Sequence, residues 1–253
     1  MNQQSKHIEI EVRTTDETRV AEAKKISQFN INPTKNTTGL VLSFLDSHTE
    51  LRRPNTKVGN GFTINFSSVD RRQGAGNLSK KQPLPKAIGS KNQTIIDATA
   101  GFCGDSILLA LMGFRVIAIE RSPIISLLLR DAMRRAKEDA ELWSVLEGNL
   151  SIVEGDAIHL LKTFNETDVI YIDPMFPQKK KSSPLPPGRI QLLSQIVGND
   201  LDANHLFDAA LNTNANRVVV KRPRYALAMS GQPIIVHKGK QVRYEVYNTT
   251  GCS

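Results

Sequence analysis

From Thr94 onward the chain repeats one pattern, in which a short apolar run is followed by a turn and then by a stretch of helical periodicity. Strands that alternate with helices form a parallel sheet covered by helices on both faces. The pattern predicts strands at 94–98, 115–119, 150–153, 168–172 and 217–221, and helices at 106–112, 123–139, 157–164 and 203–211. Two further strand candidates, 233–237 and 241–247, are separated by a connection short enough for a hairpin. We expect a mostly parallel α/β sheet that ends in an antiparallel hairpin.

The first 93 residues are patterned differently and predict a small β-rich region. Residues 8–12 and 62–66 alternate apolar and polar side chains, and residues 40–45 form a denser apolar run, as short strands do. Between Arg71 and Ile96 there are six basic residues and no acidic one, and the stretch is interrupted by Gly74, Gly76, Pro83 and Pro85. We expect a basic loop or linker there, and a division of the chain into domains 1–93 and 94–253.

Charge and cysteine content narrow the class of protein. The chain has 33 basic and 25 acidic residues, a formal net charge of +8, which makes a polyanionic partner worth testing. Its two cysteines, Cys103 and Cys252, are too few for a disulfide framework or a thiolate metal site and are typical of a reducing compartment. Neither a signal peptide nor a run of about twenty apolar residues is evident. We expect a cytoplasmic protein without a membrane segment.

The loop after the first strand of the sheet, from Asp97 to Asp105, reads DATAGFCGD. Ligands of such sheets bind beyond the carboxyl ends of the strands, where this loop lies. A nicotinamide dinucleotide loop requires G-x-G-x-x-G, and counting from Gly101 places Cys103 at its second glycine, which argues against an oxidoreductase. Gly101 and Gly104 with the two carboxylates suit a ligand that lacks a pyrophosphate and carries an amino-acid-like or cationic group. An ordinary turn is the alternative.

Acidic residues also follow the next two strands. Glu120 closes the second strand about twenty residues after the loop, where a carboxylate reaches ribose hydroxyls, or it is a solvated acid paired with Arg121. Asp156 follows the third strand, where it accepts a hydrogen bond from an adenine amino group or caps the next helix. Their positions at successive strand ends support a shared binding site.

The fourth strand ends in Asp173-Pro174-Met175-Phe176-Pro177. The exocyclic amine of a nucleobase is a poor nucleophile, because its lone pair is delocalised into the ring. The Asp173 carboxylate and the Pro174 carbonyl can accept its N–H groups and direct the lone pair, while Phe176 stacks on the base. A proline-bounded loop with a core phenylalanine is the alternative.

These motifs resemble those of class I methyltransferases that use S-adenosylmethionine (SAM). The segment from Asp173 to Phe176 is similar to the [N/D]-P-P-[F/Y/W] motif of amino-methyltransferases, with Met175 in place of the second proline. Residues 97–105, 119–123, 171–177 and 218–225 together resemble the RsmJ family, the guanine-N2 methyltransferases of small-subunit ribosomal RNA. The resemblance implies a Rossmann-like, seven-stranded fold, SAM as cofactor, S-adenosylhomocysteine as product, and no metal.

The resemblance also implies roles for individual residues. It assigns cofactor contacts in the first loop to Gly104 and Asp105, the ribose end to Glu120 and Arg121, the adenine to Asp156 and Ala157, and the methyl donor and acceptor to Asp173. The family has Gly-Arg-Asp where this chain has Cys-Gly-Asp at 103–105, so any contact of that arginine side chain is missing.

Three stretches without acidic residues, 71–96, 174–199 and 214–244, hold 17 of the 33 basic residues. Two of them flank the candidate site in sequence, and a phosphate-binding surface there would bind RNA in a salt-dependent manner. The expected RNA contacts are Lys179, Lys180, Lys181, Lys221 and Arg222. For each single stretch, a solvated surface is the alternative.

The resulting hypothesis is methyl transfer from SAM to the exocyclic N2 of a specific guanosine of 16S ribosomal RNA in the small subunit. Neither a membrane nor an obligate protein partner is expected. One alternative is the same chemistry on another exocyclic amine, of a DNA base or a protein glutamine. The other is a non-catalytic ribosome assembly factor that retains the fold.

Overall fold

The computed structural model describes residues 8–27, 39–72, 78–164, 167–174, 202–229 and 231–250. The strands are β1 Ile8–Arg13, β2 Leu40–Leu45, β3 Thr49–Arg52, β4 Thr94–Asp97, β5 Arg115–Glu120, β6 Leu150–Glu154, β7 Val169–Ile172, β8 Arg217–Pro223, β9 Ile235–Lys238 and β10 Val242–Tyr247. The α-helices are α1 Glu17–Ser27, α2 Pro83–Ile88, α3 Gly104–Leu111, α4 Pro123–Ala136, α5 Ala140–Asn149, α6 Ala157–Leu160 and α7 Ala203–Leu211. Phe66–Ser68 and Leu161–Thr163 form 3₁₀ helices.

A seven-stranded sheet, in the order β6-β5-β4-β7-β8-β10-β9, organises the larger part of the chain. Strands β4 to β8 are parallel, and β10 is antiparallel to both β8 and β9. The predicted parallel sheet with a C-terminal antiparallel hairpin is therefore confirmed. The chain order reverses between β4 and β7, so the loops that follow these two strands diverge around a crevice at the carboxyl edge of the sheet.

Helices cover both faces of this sheet, which explains why its central strands are apolar throughout. All four residues of β7 are buried, as a strand covered on both sides requires. Leu109 of α3 and Leu128 of α4 belong to the core on one face, and Phe207 of α7 belongs to the core on the other. The helix predicted from residue 123 begins at Pro123, and the Ser122 side chain accepts a hydrogen bond from the Ile125 amide as its N-cap.

A second sheet, in the order β1-β2-β3, lies in the N-terminal part of the chain. Strand β1 is parallel to β2, and β3 is antiparallel to it. Phe44 of β2 and Leu51 of β3 belong to the same core cluster as Leu128 of α4. The small N-terminal sheet is confirmed, whereas a domain boundary at residue 93 stays a prediction.

The structure corrects the expectation of a strand at 62–66. Phe62 forms one isolated bridge with Leu51, after which the chain enters the first 3₁₀ helix. The Ile64 carbonyl accepts a hydrogen bond from Arg135 of α4, and the Asn65 side chain accepts one from the Ser67 amide at 3.0 Å. Bonds to a helix and to a local turn therefore replace strand pairing here.

The stretch 71–96 was expected to be irregular, and this expectation is wrong for part of it. Helix α2 begins at Pro83, where a proline costs no hydrogen bond because the first helical N–H groups have no intrahelical partner. The helix buries Leu84, Ala87 and Ile88, so its apolar face stabilises it despite two prolines.

None of the helices in the described ranges has the length and apolar character that a membrane span requires.

Candidate active site

A cleft opens at the carboxyl edge of the seven-stranded sheet, across the point where the strand order reverses. It encloses about 610 Å³ when the open space of its mouth is included. Its lining comes from the loops after β4, β5, β6 and β7 and from α7, and comprises Ala98, Thr99, Gly101, Ile119, Glu120, Arg121, Gly155, Asp156, Ala157, Ile158, Asp173, Pro174, Asp202, Ala203 and Leu206. The sequence-predicted residues at four successive strand ends thus meet at one cleft.

Asp97 does not line the cleft, but its buried side chain holds the first loop in place through hydrogen bonds. Its side chain accepts hydrogen bonds from the Thr99 amide at 3.0 Å and from the Ser106 hydroxyl, and the residue is 2% exposed. Burial raises the pKa of Asp97 to about 7. The loop is also tied to the next strand end, because the Asp173 amide donates to the Thr99 hydroxyl at 2.7 Å.

The second half of the loop turns sharply into α3. Cys103 has a φ of +58°, the left-handed conformation that side chains rarely adopt, and α3 begins at Gly104. Burial raises the pKa of the Cys103 thiol and so favours its neutral form. Gly101 lines the cleft, but Gly104 and Asp105 do not.

Glu120 joins the first two loops of the site. Its carboxylate accepts hydrogen bonds from the Gly101 amide at 2.8 Å and from the Ser122 amide at 2.7 Å, and the residue is 5% exposed. Burial raises the pKa of Glu120 to about 7. Each carboxylate oxygen has a second lone pair, so a hydroxyl of a ligand in the cleft can still donate to Glu120.

The far end of the cleft combines an apolar slot with charged neighbours. Asp156 is the N-cap of α6, and its side chain accepts a hydrogen bond from the Ile158 amide at 2.9 Å while also lining the cleft. Both interpretations of Asp156 are therefore compatible. Arg121 forms an ion pair with Asp202 at 2.9 Å, directly before α7. The apolar lining here consists of Ile119, Ala157, Ile158 and Leu206.

Asp173 is linked to a second carboxylate by one ammonium group. Lys221 Nζ lies 2.9 Å from Asp173 Oδ2 and 2.8 Å from Asp105 Oδ2, and the Tyr171 hydroxyl donates to the same Asp105 oxygen. Burial by itself lowers the pKa of Lys221, but the two carboxylates outweigh burial and raise it above its ordinary value. The lysine is therefore a permanent cation at the end of β8.

The structure does not place Lys221 and Arg222 on an exposed RNA-binding face. Lys221 faces the two carboxylates, and Arg222 is 6% exposed because its guanidinium donates to the Leu227 carbonyl and contacts Met229. Both residues continue a buried strand, whose alternation turns them towards the site and the core. Met175, Phe176, Lys179, Lys180 and Lys181 lie outside the described residues.

Four site residues were not predicted from the sequence. Thr99 and Ser106 hold the first loop, Tyr171 contacts Asp105, and Asp202 pairs with Arg121. Tyr171 and Thr99 stand at strand ends, a position that could have drawn attention to them. Asp202 begins a helix about 80 residues after Arg121, and no local pattern connects the two.

The cleft has the features needed to hold SAM. Its apolar slot suits an adenine, Glu120 suits ribose hydroxyls, and the Asp173 carboxylate makes the other end of the cleft favourable for a cation. Among the described residues, no group of three or more His, Cys, Asp or Glu side chains is arranged to hold a metal ion.

Comparison with known proteins identifies relatives over nearly the whole chain. The model of a family of SAM-dependent methyltransferases matches residues 24–249. Ribosomal RNA small subunit methyltransferase J of Coxiella burnetii is 37% identical over 243 residues, which cover 93% of this chain and 92% of that protein. The protein of the same name from Shewanella denitrificans is 35% identical over 214 residues, or 81% of this chain and 85% of that protein.

Among solved structures, the chain is similar to a SAM-dependent methyltransferase from Neisseria gonorrhoeae. The TM-score is 0.71 at 28% sequence identity, and the match covers 98% of this chain and 97% of the other. The similarity therefore includes the N-terminal sheet as well as the seven-stranded one.

Proposed function

This chain belongs to the SAM-dependent methyltransferase family that includes ribosomal RNA small subunit methyltransferase J, and we propose that it methylates the exocyclic N2 of a specific guanosine in 16S ribosomal RNA. SAM is its cofactor. The observation that carries the proposal is the position of Asp173 and Pro174, which line the cleft directly after β7. An acceptor of amine N–H groups thus stands beside the cofactor site.

Different residues of the cleft would contact different parts of the cofactor. Glu120 would accept from the ribose hydroxyls, and Ile119, Ala157, Ile158 and Leu206 would pack against the adenine. SAM, when bound, supplies a methyl group on a positively charged sulfur. Asp173, which lines the cleft and is joined to Asp105 through Lys221, would face that charge.

Asp173, Pro174 and Phe176 would bind the guanine and orient its amine. Lys221 Nζ holds the Asp173 carboxylate in place through Oδ2 at 2.9 Å, and this carboxylate would accept an N–H of the guanine amine. The Pro174 carbonyl would accept the other N–H, and Phe176 would stack on the base. Holding both N–H groups directs the lone pair out of conjugation and stabilises the positive charge that develops on nitrogen. Methylation leaves one proton to be released, and Asp173 is placed to receive it.

The proposed substrate is the RNA of the small subunit, because the curated relatives carry that substrate in their names, and the proposed compartment is the cytoplasm. The direct test is transfer of labelled methyl from SAM to small subunits from cells that lack this protein, followed by mass spectrometry of the nucleosides. We expect N2-methylguanosine at one position. Label in a DNA base, a protein glutamine or another nucleoside would contradict the proposal. Subunit binding without SAM affinity would support an assembly factor instead.

Asp173→Ala should abolish this transfer even at saturating SAM, because the lost carboxylate accepts the amine N–H, and it should also weaken SAM binding, because the same carboxylate would face the charged sulfur. The control is Asp208→Ala, which removes an exposed carboxylate of α7 and should transfer methyl at the wild-type rate. Turnover by Asp173→Ala at the rate of that control would remove Asp173 from the proposed mechanism.

A further inference from the structure

The connection from β8 to β9 begins with residues 224–229, which we term the Tyr225 loop. An arginine of the neighbouring strand β10 binds the backbone of this loop. The Arg243 guanidinium donates to the carbonyls of Pro223 at 3.2 Å, Arg224 at 2.6 Å and Ala226 at 2.6 Å. Glu245 balances the charge of Arg243 with contacts of 2.6 and 2.8 Å. Two carbonyls of the loop, and that of the preceding Pro223, are thus fixed by a single side chain of β10.

A second arginine fixes the other end of the loop. The buried Arg222 guanidinium donates to the Leu227 carbonyl and lies 3.1 Å from the sulfur of Met229, which is itself buried. Burial lowers the pKa of Arg222 below its ordinary value, because removing a charged guanidinium from water is unfavourable. The backbone of the loop is consequently held at both ends by arginine side chains.

The outer side of this loop presents two large apolar side chains to solvent. Tyr225 is 90% exposed and Leu227 is 87% exposed, the highest values among the large apolar residues that the structure describes. The Arg224 guanidinium lies 5.6 Å from the centre of the Tyr225 ring. A fixed backbone that holds an aromatic ring and an arginine outward adds nothing to the core, which indicates a contact surface.

The surroundings of the loop decide which partner it suits. Arg224 is bonded to the β9–β10 turn through the Gln241 carbonyl at 2.9 Å, and that turn carries the exposed Lys238 and Lys240. The sequence from 214 to 244 contains no acidic residue. An exposed ring among cations, with acids absent from the whole stretch, is complementary to unpaired bases on a phosphate backbone.

The loop also lies close to the proposed methyl acceptor. Tyr225 follows Lys221 by four residues, so the two Cα atoms are at most about 14 Å apart, and Lys221 Nζ is 2.9 Å from Asp173. A nucleotide that flanks the target guanosine would pass within reach of the ring.

We propose that the Tyr225 loop is a stacking platform for an unpaired nucleotide next to the target in the RNA substrate, with Tyr225 as the stacking ring and Leu227 as its apolar neighbour. This inference rests on the proposed function, because it assigns a recognition surface to the same site. Arg224, Lys238 and Lys240 hold the adjoining phosphates.

Tyr225→Ala tests the platform through steady-state methyl transfer to small subunits. We expect the KM for the RNA substrate to rise about 10-fold, as loss of one base–aromatic stack predicts, with kcat and the Kd of SAM changed less than twofold. Tyr225→Phe keeps the ring and should remain within twofold of wild type. Val12→Ala truncates an exposed apolar side chain on β1 and is the matched control. An unchanged KM in Tyr225→Ala, or an equal defect in Tyr225→Phe, would overturn the proposal.

A binding measurement separates this inference from the proposed function. Trp143 is the single tryptophan of the chain, so Tyr225→Trp adds a second fluorophore, and a base stacked on it should quench its emission when deproteinised single-stranded ribosomal RNA is titrated. Quenching supports the platform even if wild type transfers no methyl to RNA, an outcome in which the proposed function alone fails. Quenching by intact subunits but not by deproteinised RNA would assign the loop to a ribosomal protein and overturn the proposal.

Discussion

Lys221 holds two carboxylates of the active site on one ammonium group, and this arrangement makes it a positioning residue. Lys221→Met removes the cation between Asp173 and Asp105, so the two acids repel each other and Asp173 leaves its position. We expect kcat to fall about 100-fold, the size of loss that a displacement of about 1 Å can cause, while the KM for RNA changes little. Steady-state kinetics on small subunits measure both quantities.

Two variants control this experiment. Lys91→Met removes an exposed lysine at the amino edge of the sheet and should keep the wild-type kcat. Lys221→Arg retains the charge and should recover part of the lost rate. If Lys221→Met instead raised the KM for RNA at unchanged kcat, Lys221 would be an RNA contact, as the sequence suggested.

Glu120 gives SAM binding a pH dependence, because burial raises its pKa to about 7. Ribose hydroxyls donate to the ionised carboxylate, so affinity should increase as pH rises through 7. The ionised fraction grows about 10-fold between pH 6 and 8, and the Kd of SAM should fall by that factor. The charged neighbours act in opposite directions, since Arg121 lowers the pKa of Glu120 and Asp97 raises it.

Calorimetric titration with SAM at pH 6, 7 and 8 measures this dependence. Glu120→Gln should flatten it. Asp97→Asn should retain it, because the asparagine can keep the contacts with Thr99 and Ser106 while Glu120 still titrates. The assignment to Glu120 is wrong if Glu120→Gln preserves the rise of SAM affinity with pH and Asp97→Asn removes it.

The stability of the fold changes with pH in the opposite direction. The stabilisation that the raised pKa values of Asp97 and Glu120 provide is present below pH 4 and is lost as pH rises to about 7.

The acids of the site were predictable because each occupies a strand end, a place that chain order reveals. Asp97, Glu120, Asp156 and Asp173 follow four consecutive strands, and parallel pairing gathers their ends at one edge. What each acid does there was not predictable. Asp97 is turned inward by hydrogen bonds within its own loop, and Lys221 is drawn to carboxylates more than 45 residues away in sequence.

At the scale of elements, α4 joins the N-terminal sheet to the larger one through Asp131. This buried carboxylate lies 3.6 Å from the Arg19 guanidinium of α1 and accepts hydrogen bonds from Arg134 at 3.0 Å and Arg135 at 2.9 Å. Arg19 is buried and also donates to carbonyls at the end of β2. Asp131 therefore neutralises a guanidinium that has little access to water.

Asp131→Ala should lower the free energy of unfolding by about 3 kcal/mol, because removing this carboxylate leaves the buried Arg19 guanidinium without its counterion. Urea denaturation monitored by circular dichroism measures the change. The control is Glu138→Ala, whose carboxylate lies 4.0 Å from Arg134 at an exposed position and should alter stability by less than about 0.5 kcal/mol. Equal effects of the two variants would show that the Asp131 network does not stabilise the fold.

Most elements with regular apolar spacing were predicted correctly, residues 62–66 being an exception, whereas α5 and β3, whose stability comes from distant partners, were missed. Helix α5 buries Leu142 and Leu146 on one narrow side, so its periodicity is weak. Strand β3 buries Glu50, a residue that disfavours strands in any pattern, because the amides of Gly59 and Gly61 donate to its carboxylate at 2.9 and 2.6 Å. Such contacts are set by tertiary structure and leave no local signal.

At the scale of the whole molecule, charge is divided between the cleft and its rim. The cleft contains the acids that suit a cationic cofactor, whereas Arg224, Lys238 and Lys240 lie exposed at the same edge of the sheet. A phosphate backbone is attracted to the rim and repelled from the interior, so RNA and SAM do not compete for one surface. The amino edge of the sheet carries exposed basic residues too, at Lys91 and Arg115, which provides a comparison.

This division predicts that salt weakens RNA binding through the rim alone. Each lysine that neutralises a phosphate of single-stranded RNA contributes about 0.7 to the slope of log affinity against log salt. Lys238→Ala combined with Lys240→Ala should make the slope shallower by about 1.4, whereas Lys91→Ala with Arg115→Ala removes the same charge from the opposite edge and should leave it unchanged. Filter binding of ribosomal RNA between 50 and 300 mM salt, roughly the range where screening changes most, measures both slopes. Equal slopes in the two double variants would mean that net charge, and not its placement at the cleft, recruits the RNA.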